Sequence, residues 1–212
     1  MNLKEKNEFE GNERKEDEFK AVLGERRLPL HVTLGTMDAV KAMMWRGLRY
    51  FLGDAAQWLE GYDDVARWLV DNHRRGLYIY GSNGRGKSLL AYNVLPTLLR
   101  YYYPRTSTFQ CRASNLRALH PERNEYYAMM RADVLCVDDF GTEAMTNVYG
   151  ERRDVFADVV DMAEQDGRLL LLTTNLSPED VMRRYGRRTI DRLKAITTTV
   201  TFTGDSMRKN DK

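Results

Sequence analysis

The sequence predicts an α/β fold in which a five-stranded parallel sheet is flanked by helices. Three observations predict it. Five strand-like runs, at 77–80, 106–111, 133–139, 168–174 and 197–202, are separated by helical or loop stretches, the pattern of parallel strands joined by crossovers. The first run leads straight into the glycine-rich stretch "GSNGRGKS" (81–88), and a helix-like segment follows it. Another run, "VLCVDDFG" (134–141), is an apolar strand closed by two carboxylates, Asp138 and Asp139.

Composition sets the outer bounds. A chain of 212 residues makes one domain of ordinary size, or one with an appendage, and 42% hydrophobic content is enough for a buried core. The formal net charge of +2 supplies no global field for nucleic acid, so any such binding must come from a local patch. Cys111 and Cys136 stand alone in apolar runs, which argues against a disulfide framework or a zinc site and predicts two buried free thiols. The charged N-terminus has no apolar leader, and no apolar run reaches membrane-spanning length. A soluble, cytoplasmic protein with no membrane partner is the expectation.

Along the chain, residues 1–27 mix acids and bases with few apolar anchors and are expected to form a mobile, disordered charged tail. Residues 28–73 form a short N-terminal helical extension, and 74–212 the main domain. Within the extension, Met37, Val40, Met43, Met44, Leu48, Phe51 and Leu52 recur at helical spacing. A second helix is expected from Asp63, as its cap, through Asn72, with Val65, Trp68 and Leu69 on one face. Arg74, Arg75 and Gly76 end it before the first strand. After the glycine-rich loop, "SLLAYNVLPTLLRYYY" (88–103) reads as one long helix kinked by Pro96.

The glycine-rich stretch fits G-x-x-x-x-G-K-S. Such a turn binds phosphate because its backbone N–H groups converge at a helix N-terminus, where the helix dipole favours anions. Gly81, Ser82, Asn83, Gly84, Arg85, Gly86, Lys87 and Ser88 are therefore the candidate nucleotide-binding residues, with ATP and Mg²⁺ as cofactors. Lys87 is placed to reach the outer phosphates and the Ser88 hydroxyl to ligate Mg²⁺. Asp138, about fifty residues further on, is the candidate second metal ligand, and Asp139 the residue that orients the attacking water, with Glu143 as the alternative. In "LLLLTTNL" (169–176), Asn175 ends a strand and can hydrogen-bond the γ-phosphate or the water, while Ser177 caps the next helix.

The glycine-rich loop, "VDDFG", "TTN", "YGRRTIDRL" and "FTGDSMR" together resemble the AAA+ ATPases of the DnaC helicase-loader and IstB transposition-helper group, over roughly Trp68 to Arg208. The resemblance implies an AAA+-type P-loop NTPase fold. It also implies that Asn175 is the sensor 1 residue, that Arg192 is the arginine finger acting on a neighbouring subunit's nucleotide, and that Arg208 is sensor 2. Arg188 is the second candidate for the finger. Only four residues follow Arg208, so no substantial C-terminal lid is expected, and no zinc-binding N-terminal module is expected either. Partner contacts are then expected from about Leu28 to Asn72.

The residues by themselves point to nucleotide binding, and the resemblance adds a role in DNA replication. The implied partners are a second copy through the ATPase interface, and a replicative helicase or a transposase. Single-stranded DNA is a further candidate, through Arg112, Arg117, Arg123 and Arg131 with Tyr126 and Tyr127 for base stacking. A small-molecule phosphoryl transferase is disfavoured by "TTN" and the arginine-rich "YGRRTIDRLK". A non-hydrolysing, nucleotide-dependent adaptor stays open as an alternative, because Asp139 is shorter than the Glu common at that position.

Overall fold

The structure, a computed structural model, describes residues 27–116, 124–142, 146–148, 151–153, 155–204 and 206, with the backbone alone for 146–148 and 151–153. The first helix, α1 (Met37–Leu52), starts where the Thr36 hydroxyl accepts from the Ala39 N–H and stops at Gly53, whose φ of 57° turns the chain away. Val40, Met44 and Leu48, spaced four apart, are its buried face. α2 (Tyr62–Val70) follows Gly61, at φ 82°. Asp63 is thus not its cap but a first-turn residue. Its carboxylate is taken by the Trp58 indole N–H at 2.9 Å and by Lys41 at 2.9 Å.

α2 stops short of Asn72 because that residue has another task. Its buried side chain accepts from the Val32 N–H at 2.8 Å and donates to the Leu30 carbonyl at 3.0 Å. The segment 28–34 is thereby tied to the turn before the sheet. Arg27, counted with the charged tail on sequence grounds, is held by an ion pair with Asp133. Residues 1–26 lie outside the described residues.

Five strands form one sheet: β1 (Gly76–Gly81), β2 (Thr108–Arg112), β3 (Val134–Asp138), β6 (Leu169–Thr174) and β7 (Thr197–Phe202). Their order is β2-β3-β6-β1-β7, and every pairing is parallel. The period of two divides the side chains cleanly between two cores. Leu77, Ile79, Val134, Cys136, Leu169 and Leu171 pack with α1, α2 and the helix after the loop. Tyr78, Leu135, Val137, Leu170 and Leu172 pack on the other face with Phe140 and with Phe156 and Val160 of α6 (Val155–Gln165). Val40, Met44, Leu48, Val65 and Leu69 share one core with Leu77 and Ile79, so the N-terminal helices are built into the sheet's face.

The kink expected at Pro96 is resolved as a wider turn. Residues Leu89–Val94 are π-helical, α3 (Leu95–Tyr102) continues from them, and Pro96 sits in its first turn. A proline leaves the carbonyl four residues earlier without its usual donor. That carbonyl, of Tyr92, accepts instead from the Gln110 side chain on β2. A short helical turn, α4 (Ala113–Leu116), and α5 (Asn124–Arg131) connect β2 to β3. The hairpin β4 (Thr146–Val148) and β5 (Glu151–Arg153) was not expected; three-residue strands are too short to show a period. The helix before the last strand, α7 (Pro178–Ile196), is broken at Gly186 (φ 81°, ψ 167°) and carries Arg187, Arg188 and Arg192 beyond the break.

Candidate functional site

The C-terminal ends of β1, β6 and β3 lie side by side, which is where open parallel sheets bind ligands. β1 delivers the glycine-rich loop. Gly81 lies so close to β7 that a Cβ would overlap the Phe202 carbonyl oxygen, and the next N–H, of Ser82, donates to that oxygen at 3.0 Å. The end of β7 thus fixes where the loop departs. Helical hydrogen bonding resumes with the Leu90 N–H on the Gly86 carbonyl at 3.0 Å. Ser82, Asn83 and Ser88 are exposed, and the Arg85 guanidinium lies near Gly204, just beyond β7.

Lys87 is buried, and its ammonium donates to the Gly81 carbonyl at 2.9 Å, the Ser82 carbonyl at 2.8 Å and the Asn175 side-chain oxygen at 2.6 Å. Asn175, at the tip of β6, donates through its amide nitrogen to Asp139 Oδ1 at 2.7 Å. An amide between an ammonium and a carboxylate has one favourable orientation, oxygen to the cation and nitrogen to the anion. Lys87, Asn175 and Asp139 are therefore one polar chain from loop to acid.

Asp138 and Asp139 are adjacent but differently housed. Asp138 ends β3, is buried, and accepts from the Thr173 hydroxyl at 2.6 Å. Asp139 is past the strand at φ 57°, a left-handed conformation that Asp tolerates better than most residues. The tip of β6 holds this turn. The Asp139 N–H donates to Thr173 Oγ1 at 2.8 Å, the Phe140 N–H to the Thr173 carbonyl at 2.9 Å, and the Thr174 hydroxyl to the Phe140 carbonyl at 2.5 Å. A chain reversal at this angle turns the two acids away from the strand's alternation.

The residues present fit a magnesium–nucleotide group. Among the described residues no cluster of three or more His, Cys, Asp or Glu could hold a metal by itself. The buried Asp138 carboxylate makes no ion pair with any described residue. Asp138 and the Ser88 hydroxyl offer oxygen donors, the type Mg²⁺ selects, and Mg²⁺ ordinarily takes its remaining ligands from water and phosphate.

Arg192 lies elsewhere. It is 22% exposed and ion-paired within the chain with Asp161 and with Glu164 (3.0 Å), both on α6. Arg188 reaches the same Asp161 at 3.2 Å. Arg208, the sensor 2 candidate, and Glu143 lie outside the described residues, as do Arg117 and Arg123. Of the proposed DNA-contacting group, Arg112, Arg131 and Tyr127 are exposed, while Tyr126 packs partly into the core.

Two contributors escaped sequence reasoning. Thr173 reads as a strand residue, and its only signal is a hydroxyl at the end of an otherwise apolar run. Tyr62, from α2, lies against the loop at Gly86, a contact no local pattern could reveal.

No protein-family model and no curated protein matches the chain. Solved structures do. A crystal structure of DnaI is similar over 84% of this chain and 88% of its own, with 21% identity and a TM-score of 0.52. The crystal structure of the DnaC helicase loader is similar over 61% of this chain and 78% of its own, with 18% identity and a TM-score of 0.50. Similarity at this level concerns the fold, and the fold is the AAA+-type P-loop architecture that the motifs imply. No helix among the described residues is long and apolar enough to cross a membrane.

Proposed function

We propose that this chain binds and hydrolyses ATP as a self-associating AAA+ protein of DNA replication, and that it is a helicase loader acting on a replicative helicase with single-stranded DNA. The observation that carries the nucleotide part is the chain from Lys87 through Asn175 to Asp139, set beside the buried Asp138 at the ends of three adjacent strands. In this reading ATP and Mg²⁺ supply the transferable phosphoryl group and the metal charge that neutralises its oxygens. The N–H groups of residues 81–88 bind phosphate. Lys87, now on the Gly81 and Ser82 carbonyls, would reach the outer phosphate oxygens, and Ser88 and Asp138 would hold the metal. Asp139 orients the attacking water, and Asn175 steadies both Asp139 and Lys87.

Arg192 completes the site of the neighbouring subunit in this proposal. It would have to exchange its ion pairs with Asp161 and Glu164 on α6 for that subunit's nucleotide. Arg208 is assigned to sensor 2 from its motif alone. The DNA and helicase parts are supported by likeness in fold to the DnaC helicase loader and by the exposed Arg112, Arg131 and Tyr127.

The test is ATP turnover by the full chain with and without single-stranded DNA, together with co-purification of a replicative helicase. A loader turns over, responds to DNA and retains the helicase. Nucleotide binding with no turnover under any condition would favour the adaptor, and retention of a transposase instead would favour the transposition helper.

A further inference from the structure

We propose that Thr173 is a positioning residue for a divalent cation at Asp138: its hydroxyl fixes the orientation of the carboxylate through Oδ1 and leaves Oδ2 as ligand. The inference rests on the nucleotide reading above and names the residue that orients its metal ligand. Thr173 is 1% exposed on β6, the strand between β3 and β1. Among the described residues no other strand touches both the acid-bearing and the loop-bearing strand.

A hydroxyl has one proton and two acceptor lone pairs. At Thr173 the Asp139 N–H donates to Oγ1 at 2.8 Å and occupies a lone pair. Asp138 Oδ1 lies 2.6 Å from the same oxygen, and an ionised carboxylate can only accept, so the Thr173 proton is directed at Oδ1. The distance is that of a charge-assisted O–H to O⁻ bond. One hydroxyl therefore sets both acids. It occupies one lone pair of Asp138 Oδ1, which fixes the rotation of the carboxylate, and it holds the backbone of Asp139 at φ 57°. Oδ2 is the oxygen with both lone pairs open to a cation. Hydrogen-bond partners of metal ligands fix ligand orientation and tune affinity without touching the metal.

The test is binding of a fluorescent ATP analogue to the full chain, in Mg²⁺ titrations and in EDTA, for wild type, Thr173→Val, Thr173→Cys and Thr173→Ser. Valine keeps the shape and deletes both the donor to Asp138 and the acceptor of the Asp139 N–H, cysteine keeps weak versions of both, and serine keeps the hydroxyl. Binding in EDTA should be the same in all four. The Mg²⁺ concentration giving half of the metal-dependent gain should rise about 10- to 100-fold in the valine variant. It should rise less in the cysteine variant and stay at the wild-type value in the serine variant. Circular dichroism identifies the folded variants, and if valine fails to fold, cysteine against serine decides. Equal Mg²⁺ requirements across the folded variants overturn the proposal, and so does an equal loss of binding in EDTA and in Mg²⁺, which would make Thr173 merely structural. A wild type that binds no nucleotide in either condition overturns the nucleotide reading and this proposal with it. That outcome is distinct from a wild type that binds with Mg²⁺ and is matched by the valine variant.

Discussion

The hydroxyl of Tyr62 closes on Gly86 of the glycine-rich loop. A Cβ built at Gly86 would overlap that hydroxyl oxygen, whereas the ring carbon that bears it stays 3.4 Å away. Tyr62 is 2% exposed and is held from both sides, by Trp58 at 5.8 Å and by Phe202 at 5.4 Å between ring centres. The N-terminal helical segment and the last strand therefore both bear on the loop. Gly86 is also at φ 80°, so a side chain there meets two separate obstacles.

Those obstacles can be separated. Gly86→Ala should lose nucleotide binding and destabilise the chain by at least about 1–2 kcal/mol, the cost of a left-handed alanine. Adding Tyr62→Phe removes the overlapping oxygen and should return part of the lost stability, leaving the backbone cost behind. Denaturant unfolding of the single and double variants measures this. A double variant no more stable than Gly86→Ala would mean that Tyr62 does not constrain the loop.

Lys87→Ala should abolish hydrolysis and leave the fold intact, because it deletes the charge facing the phosphates without touching either core. It also frees the Asn175 oxygen, so Asp139 loses part of its support. Turnover by a folded Lys87→Ala variant, seen in a phosphate-release assay, would exclude this loop as the site.

Asp139→Asn should bind ATP and hydrolyse it much more slowly. Asn tolerates the left-handed φ of 57° and still offers Asn175 an acceptor oxygen, so the turn survives while the carboxylate is lost. Should Asp139→Asn stay active and Glu143→Gln be dead, the water-orienting role passes to Glu143.

Turnover per subunit should rise with protein concentration if Arg192 acts in trans, since such a finger contributes on the order of 10³ or more in rate. Arg192→Ala should be slow at every concentration and keep its ATP affinity. Mixing it with Lys87→Ala should restore some activity, as intact loops meet intact fingers at some interfaces. Arg188→Ala is the control: it removes one arginine from Asp161 and leaves the Arg192 contact with Glu164. A dead mixture, with no concentration dependence in the wild type, would make Arg192 a structural ion-pair partner of α6.

Burial pushes the Cys111 thiol up to about 12 from its ordinary 9, and raises the Cys136 thiol as well, with Cys111 adding to the effect. Both thiols should stay unmodified by a thiol reagent at pH 8 in the folded chain and react quickly in denaturant. The sign for stability follows. A raised folded pKa means the folded state holds the proton more tightly, so the Cys111 contribution is complete below pH 9 and is lost as pH climbs through about 12. Cys111→Ala should flatten the melting temperature over that window.

What the sequence by itself determined is whatever depends on local order. The glycine spacing of residues 81–88, the apolar run closed by Asp138 and Asp139, and the period of α1 are contiguous patterns, and each is sufficient to specify an element. The parallel sheet followed from their alternation, but its order β2-β3-β6-β1-β7 did not, because strand order depends on which crossovers pack together. The limits of α2 were misjudged for the same kind of reason. Asn72 looks helical in its own window, yet its amide is spent on Val32 and Leu30, some forty residues away in the chain. Only the tertiary structure could bring Thr173 to both acids, Asn175 between Lys87 and Asp139, and Tyr62 onto Gly86. A hydroxyl or an amide acquires a role from the partner within about 3 Å of it, and that partner is chosen by packing at long range.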